Sequence, residues 1–265
     1  MQNYKHYRIS PRKGTSRGIP ATILLVLITF IFSCTPRLET WNEHNHQYTI
    51  GAGADTVQDA AIIQLTSSYR DSLNSVMNEP LIFSKTPLTR ELPEGNLGNL
   101  CADIWFKAAR ELCQAQHLPS PQIAVFNHGG LRSSLPSGVI TIRNVFELMP
   151  FENELVICEL PESARDSLSA IIARKGGAPI SGFRMKISSN IVKETEWPQS
   201  NPDEKFYVVT SDYLAGGNDN FTIFKSGKTT TLQVKLRDVL INEFKKSGQR
   251  NDTLSVTKDG RISNL

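Results

Sequence analysis

The stretch QIAVFNHGGLRSSLPSGVITIRNVFELMPFENELVICEL, residues 122–160, decides how this chain is read. Its apolar run Ile123, Val125 and Phe126 predicts a buried strand, and that run stops abruptly at Asn127-His128-Gly129-Gly130. Glycine adopts positive φ without steric penalty and admits the close approach of a ligand or another backbone, so Arg132 is expected to project from a tight loop at a strand end. Loops of this kind are where folds hold ligands. Further on, Leu155 to Leu160 alternates as a second strand, and Met149-Pro150-Phe151 sets an aromatic ring on a turn whose φ is fixed by proline. An arginine and a ring together suit a flat, anionic ligand.

Upstream of this stretch, Pro119 and Pro121 separate the first strand from a helix that starts at or near Asn96. That helix carries Leu97, Leu100, Ile104, Ala108 and Leu112 at helical spacing, with Trp105 and Phe106 widening the apolar face. Before it, Asp55 is placed to cap a helix that shows Val57, Ala61, Leu65, Leu73 and Val76 and ends ahead of Pro80, and Leu81 to Leu88 is expected to be extended. Downstream, Pro161-Glu162-Ser163 opens a helix with Leu168, Ile171 and Ile172 inward, stopped by Gly176-Gly177. Phe183 to Ile187 and Phe206 to Val209 alternate as strands joined by a polar loop with Pro198 and Pro202. Finally Leu232, Leu236, Val239, Leu240 and Phe244 mark a helix ended by Gly248, before an extended tail from Thr253 to Ile262. This mixed order predicts an α+β fold, a single mixed α/β domain over residues 55–265 without internal repeat.

The beginning of the chain has a different character. Lys5, Arg8, Arg12, Lys13 and Arg17, with no acidic residue among them, precede an apolar run from Ile23 to Phe32 that ends at Ser33-Cys34. A charged segment, a short apolar run and a small residue describe a secretory signal, because the run is too short to span a bilayer comfortably. Ile31-Phe32-Ser33-Cys34 resembles a bacterial lipobox with a large Phe at its second position. Residues 1–34 are therefore read as a lipoprotein-type signal peptide with Cys34 as the lipidation site, and polar, aperiodic residues 35–54 as a flexible tether. The product is expected to be exported and membrane-anchored, on the periplasmic face or outer surface of a bacterium; an uncleaved N-terminal anchor is the alternative.

Charge and cysteines narrow the field further. Without those five basic residues, 24 of the 29 remain against 26 acidic ones, a formal balance of −2, so the basic character of the whole chain belongs to the signal and supports no nucleic-acid partner. His44 and His46 in the tether have no Cys or carboxylate cluster of ligand spacing beside them, and no metal site is expected there. Cys101 and Cys113 lie about 18 Å apart along one predicted helix and cannot pair with each other. Cys158 either bridges to one of them or joins them as a buried free thiol.

Four motifs then give a family resemblance. Glu94 to Asp103 (EGNLGNLCAD) is similar to a helix start E-x-NLGNL-x-AD, Asn127 to Arg132 follows N-x-GG-[IL]-R, and Pro150 to Asn153 follows PF-x-N. Tyr213 to Phe221 (YLAGGNDNF) is an aromatic followed by a Gly-rich acidic turn. In this order they resemble the substrate-binding C-terminal domain of 5′-nucleotidases and UDP-sugar hydrolases, from about Leu81 to Phe224. The resemblance implies a nucleoside 5′-phosphate or UDP-sugar ligand whose base stacks between Phe151 and Tyr213, an interaction worth about 1–3 kcal/mol per base. It also implies that Arg132, with the backbone of Gly129 and Gly130 beside it, contacts phosphate or ribose, since a guanidinium fork matches phosphate oxygens. Asn127 either reads a base edge or ties the turn. Asp219 falls where the family keeps a carboxylate for ribose hydroxyls, although Asn218 and Asn220 replace two glycines of the family's turn; asparagine tolerates the left-handed conformation, so the turn is expected to survive. Arg90 matches an upstream arginine displaced by one residue. Glu94 is expected at the positive end of the following helix and Asp103 in a local hydrogen bond, with His128 a loop histidine.

Full-length proteins resembling this domain carry a metallophosphoesterase half whose two metals activate water and clamp the phosphate. Its patterns D-x-H, G-D-x-x-D, G-N-H-[DE] and G-H-x-H do not occur here. No catalytic residue, metal ligand or cofactor is therefore expected in this chain, and divalent metals are assigned to a separate metallophosphoesterase chain. The reading is a nucleotide-binding protein of nucleotide catabolism that completes the active site of that partner. The alternatives are a nucleotide- or nucleoside-binding surface lipoprotein without a hydrolytic partner, and a folded relic with a dead site.

Overall fold

Alternating side chains along one sheet divide the molecule into two cores. The computed structural model describes residues 59–199 and 205–265. The expected signal, Cys34, the tether with His44 and His46, the Asp55 cap, Val57 and Pro202 lie outside the described residues. In chain order the longer helices are α1 (Ala60–Met77), α2 (Asn96–Ala115), α3 (Ile142–Leu148), α4 (Ala164–Arg174), the single-turn α5 (Asp212–Ala215) and α6 (Leu236–Gln249). The strands are β1 (Pro80–Ser84), β2 (Ile123–Val125), β3 (Gly138–Thr141), β4 (Glu154–Leu160), β5 (Ile180–Ser181), β6 (Arg184–Ser188), β7 (Ile191–Glu196), β8 (Phe206–Ser211), β9 (Lys228–Lys235), β10 (Thr253–Leu254) and β11 (Ile262–Asn264).

The central sheet has the order β5-β2-β8-β4-β9, with β2 and β8 parallel and the other neighbours antiparallel. Successive residues of a strand face opposite sides. Ala124, Leu155, Ile157 and Val209 therefore join α2 and α6 in one core, while Ile123, Val125, Val156, Cys158, Phe206 and Val208 join α4 in the other. Two three-stranded sheets, β10-β1-β3 and β11-β6-β7, complete the mixed α/β architecture.

Helix α2 buries Leu97, Cys101, Trp105, Ala109 and Cys113, while Ile104, Ala108 and Leu112 are only partly covered. The deepest stripe is thus one position away from the expected one. Helix α1 begins at an observed cap, Asp59, whose carboxylate accepts from the backbone N–H of Ala61 at 2.9 Å. It buries none of its residues, and Ile62, Leu65, Tyr69, Leu73 and Val76 are exposed, Leu65 at 81 %.

Three expectations are corrected. The expected polar loop after β6 holds strand β7, which pairs antiparallel with β6; it is mostly exposed, so its charged and threonine residues masked the alternation. Leu232 belongs to strand β9, not to the last helix, because the Thr-rich segment from Lys228 pairs along the edge of β4. Asp103 makes no local hydrogen bond with its helix. It accepts from both Nη1 and Nη2 of Arg261, at 2.7 and 2.9 Å, and from Ser181 at 2.6 Å.

Glu94, just ahead of α2 at its positive end, holds the same C-terminal segment by accepting from the backbone N–H of Asp259 at 2.8 Å and Gly260 at 3.0 Å. The three described cysteines are buried and free. Cys101 and Cys113 sit in the first core and Cys158 in the second, so the sheet stands between them and no bridge forms.

Arg261 is buried, and its guanidinium also meets Asp259 at 2.9 Å and the Ile180 carbonyl at 2.8 Å. Burial works to lower its pKa, and the Asp103 and Asp259 carboxylates more than reverse that. Arg261→Ala is expected to cost about 1–3 kcal/mol, as charge-assisted bonds to a buried group are lost. Urea unfolding checks this, with Lys258→Ala as the control: its pair with Glu91 is exposed, and the midpoint should not move.

Candidate functional site

Three segments meet at the cavity, and each is fixed from behind. The first is the end of β2. Phe126 packs on the Trp105 ring, with centroids 4.4 Å apart, and its N–H donates to the Pro179 carbonyl at 2.9 Å. Asn127 follows, and a 3-10 turn runs from His128 to Gly130. Neither glycine of the pair has positive φ. What the pair provides is room, because a Cβ on Gly130 would stand 3.1 Å from Asn127 Oδ1 and one on Gly129 3.3 Å from Asn127 Nδ2. The asparagine side chain therefore lies against its own turn.

Arg90 braces this turn by donating to the Leu131 carbonyl at 2.5 Å and the His128 carbonyl at 3.4 Å. Burial, and then the positive charge of Arg90, lower the pKa of His128 below its ordinary value of 6.5. The imidazole is thus biased toward its neutral form.

The second segment is the loop from Met149 to Asn153. Arg237, only 5 % exposed, donates to the carbonyls of Met149 at 3.3 Å and Pro150 at 3.4 Å and pairs with Glu152, and its guanidinium carbon lies 4.1 Å from the Phe146 ring centroid. Lys235 also pairs with Glu152, and Leu236 N–H donates to the Asn153 carbonyl at 3.0 Å. The start of α6 thus clamps both sides of Phe151, whose ring remains 43 % exposed.

The third segment is α5 and the turn after it. Ser211 caps α5 by accepting from Leu214 N–H at 3.2 Å, and buried Leu214 plugs the helix into the core. Tyr213, its neighbour, is left 44 % exposed. Asn218, one of the two glycine replacements, donates its Nδ2 to the Tyr213 carbonyl at 2.9 Å. Asp219 and Asn220 take φ of 51° and 61°, so the turn keeps the left-handed shape that glycine would adopt freely. Asp219 Oδ1 meets Lys175 Nζ at 2.5 Å.

Asn127, Gly129, Gly130, Arg132, Phe151, Asn153, Tyr213 and Asp219 line one cavity of about 370 Å³. Of the residues expected from the sequence to contact the ligand, Arg90 alone is off this wall, standing behind it as a brace. Arg132 holds its guanidinium carbon 6.0 Å from the Phe151 centroid and donates to the Gly129 carbonyl at 3.3 Å. Asn153 lies inside the PF-x-N motif, which by itself assigns it no role. Lys175 and Arg237 escape sequence reasoning altogether, because nothing local ties them to Asp219 and Pro150. Two ring faces, a guanidinium and a carboxylate can hold a flat aromatic group with polar and anionic appendages. Among the described residues no three His, Cys, Asp or Glu side chains gather as a metal-binding set.

Hydrogen bonds from Lys235 and then Arg237 hold the Glu152 carboxyl well below its ordinary 4.5, down to about 2. A carboxylate with a depressed pKa stabilises the fold fully above the unfolded value and loses that contribution as pH falls through the folded one. The difference in urea midpoint between the parent chain and Glu152→Gln is therefore expected to be constant above about pH 5 and to shrink toward pH 2. The shrinkage should be modest, since the carboxylate stays in contact with water.

Comparisons with known proteins bear on the family and the fold. Residues 76–161 match the family described as 5′-nucleotidase, C-terminal domain, and three of the four motifs fall inside that match. A protein of Bacillus subtilis (strain 168) named trifunctional nucleotide phosphoesterase is 25 % identical over 226 residues, covering 76 % of this chain and 15 % of that one. The crystal structure of a 5′-nucleotidase precursor from Thermus thermophilus superposes with a TM-score of 0.62 at 23 % identity, over 76 % of this chain and 42 % of that one. The NAD nucleotidase of Haemophilus influenzae gives 0.57 at 14 % identity, over 78 % and 41 %. The chain thus spans less than half of each of these proteins, and the two structures share its fold. Over residues 76–161 the chain is thus similar to the 5′-nucleotidase C-terminal domain family.

Proposed function

We propose that the chain binds nucleoside 5′-phosphates or UDP-sugars in this cavity and completes the active site of a separate metallophosphoesterase chain that hydrolyses the phosphoester. The observation that carries the proposal is the pair Phe151 and Tyr213, two rings left about half exposed on the wall of one cavity beside Arg132. Large rings are normally buried, and their exposure around a concavity suits stacking on a flat ligand. Arg132 supplies the anion-binding fork, and Asn127 and Asp219 meet the polar groups of base and sugar. Names such as nucleotidase and nucleotide phosphoesterase among the relatives support this ligand class.

In this reading the divalent metals and the residues that activate water reside on the partner. Export and a lipid anchor at Cys34 would keep the binding site outside the cytoplasm, at the membrane surface where a partner could dock.

Calorimetric titration with AMP, adenosine and UDP-glucose tests the site. Phe151→Ala and Tyr213→Ala are each expected to weaken binding by about 1–3 kcal/mol. Arg132→Ala should weaken AMP more than adenosine, by about 1.5–3 kcal/mol, because only AMP carries the phosphate. No binding at millimolar ligand, with or without an added metallophosphatase, would mean the proposal is wrong. If the purified chain alone releases phosphate from AMP at enzyme-like rates, the separate catalytic partner is unnecessary.

A further inference from the structure

We propose that Lys175 is a positioning residue that orients and screens Asp219 so that this carboxylate distinguishes ligands by their vicinal sugar hydroxyls; this rests on the nucleotide-binding reading above. Asp219 lines the cavity, and its Oδ1 is taken by Lys175 Nζ at 2.5 Å. Among the described residues no hydrogen bond engages Oδ2. One oxygen is thus pinned and the other remains an acceptor. Asp219 itself sits on a turn with φ of 51°, flanked by Asn218 and Asn220. A short side chain on such a turn has several rotamers available, and the ion pair selects among them.

Lys175 is well suited to that task because it is itself held. It is the C-cap of α4, and its backbone N–H bonds to the carbonyls of Ile171 and Ile172, each at 3.2 Å. The chain then turns at Gly176 and Gly177, with φ of 75° and 126°. At Gly177 a Cβ would fall 2.1 Å from the Pro93 carbonyl oxygen, so the backbone after Lys175 is packed against another segment. The ammonium lies 5.6 Å from the centroid of Phe221, a buried ring stacked on Phe224 at 5.9 Å. Carboxylate and ring face together fix where the cation sits.

Two effects on binding follow. A pinned carboxylate presents Oδ2 to a hydroxyl donor without first losing rotamer freedom. The ammonium also offsets the negative charge of Asp219, which would otherwise repel a phosphate bound by Arg132.

The test is calorimetric titration of the full chain with adenosine and with 2′,3′-dideoxyadenosine. The parent chain is expected to prefer adenosine by about tenfold or more, the range for a hydrogen bond to a charged acceptor. Lys175→Met should abolish most of that preference by weakening adenosine alone, Lys175→Arg should keep it, and Asp219→Asn should lose it with no further loss in the double variant. Circular dichroism and unfolding midpoints establish that each variant is folded. If Lys175→Met keeps the preference, or weakens both ligands alike, Lys175 has no such role and the nucleotide-binding reading stands. If the parent chain binds neither ligand, that reading fails and this one fails with it.

Discussion

Trp105 lies inside the first core with its ring 4.4 Å from Phe126 and its indole N–H on the carbonyl of Leu236 at 3.0 Å. Those two contacts join the segments from which most of the cavity hangs. Phe126 is the last residue before the Asn127 turn, and Leu236 opens the helix whose first residues clamp the Phe151 loop. A buried indole with its one donor satisfied stabilises both its apolar contacts and its hydrogen bond. The distance between the two loops is therefore set in the core, well away from either of them.

The same separation of roles runs through the site. Rings that face the cavity are left half exposed, while the groups that hold them are buried or pinned: Arg237 behind Phe151, Leu214 beside Tyr213, Arg90 behind the glycine turn. Ordering a loop at the moment of binding costs conformational entropy. Here much of that ordering belongs to folding, so the wall is formed before a ligand arrives. The N-terminal half of α2 is tied down as well, since Glu94 and Asp103 fasten the C-terminal segment from Asp259 to Arg261.

Much of this was legible in the sequence wherever a feature was local. The end of β2, the start of α2 at Asn96 and the stop of α4 before its glycine pair followed from periodicity and from glycine and proline chemistry. Edge strands were not, because β7 and β9 are rich in threonine and charge and pack on one side only. Contacts between residues distant in the chain were also hidden: Arg237 reaches Pro150, and Arg261 reaches Asp103, and no local pattern pairs them. Two readings had the right residue and an incomplete reason. The glycine pair serves close packing of Asn127 and not positive φ, and Asn218, which looked like a loss of glycine, adds a hydrogen bond to the Tyr213 carbonyl.

The three buried cysteines carry a consequence for following this molecule as it opens. Burial raises the pKa of each thiol, that of Cys158 to about 11, and only the thiolate reacts with alkylating reagents. Modification in the native state then waits on local opening. Because Cys101 and Cys113 lie on one side of the central sheet and Cys158 on the other, these three thiols report on the two layers separately. Their relative alkylation rates tell whether the two layers come apart together or one at a time.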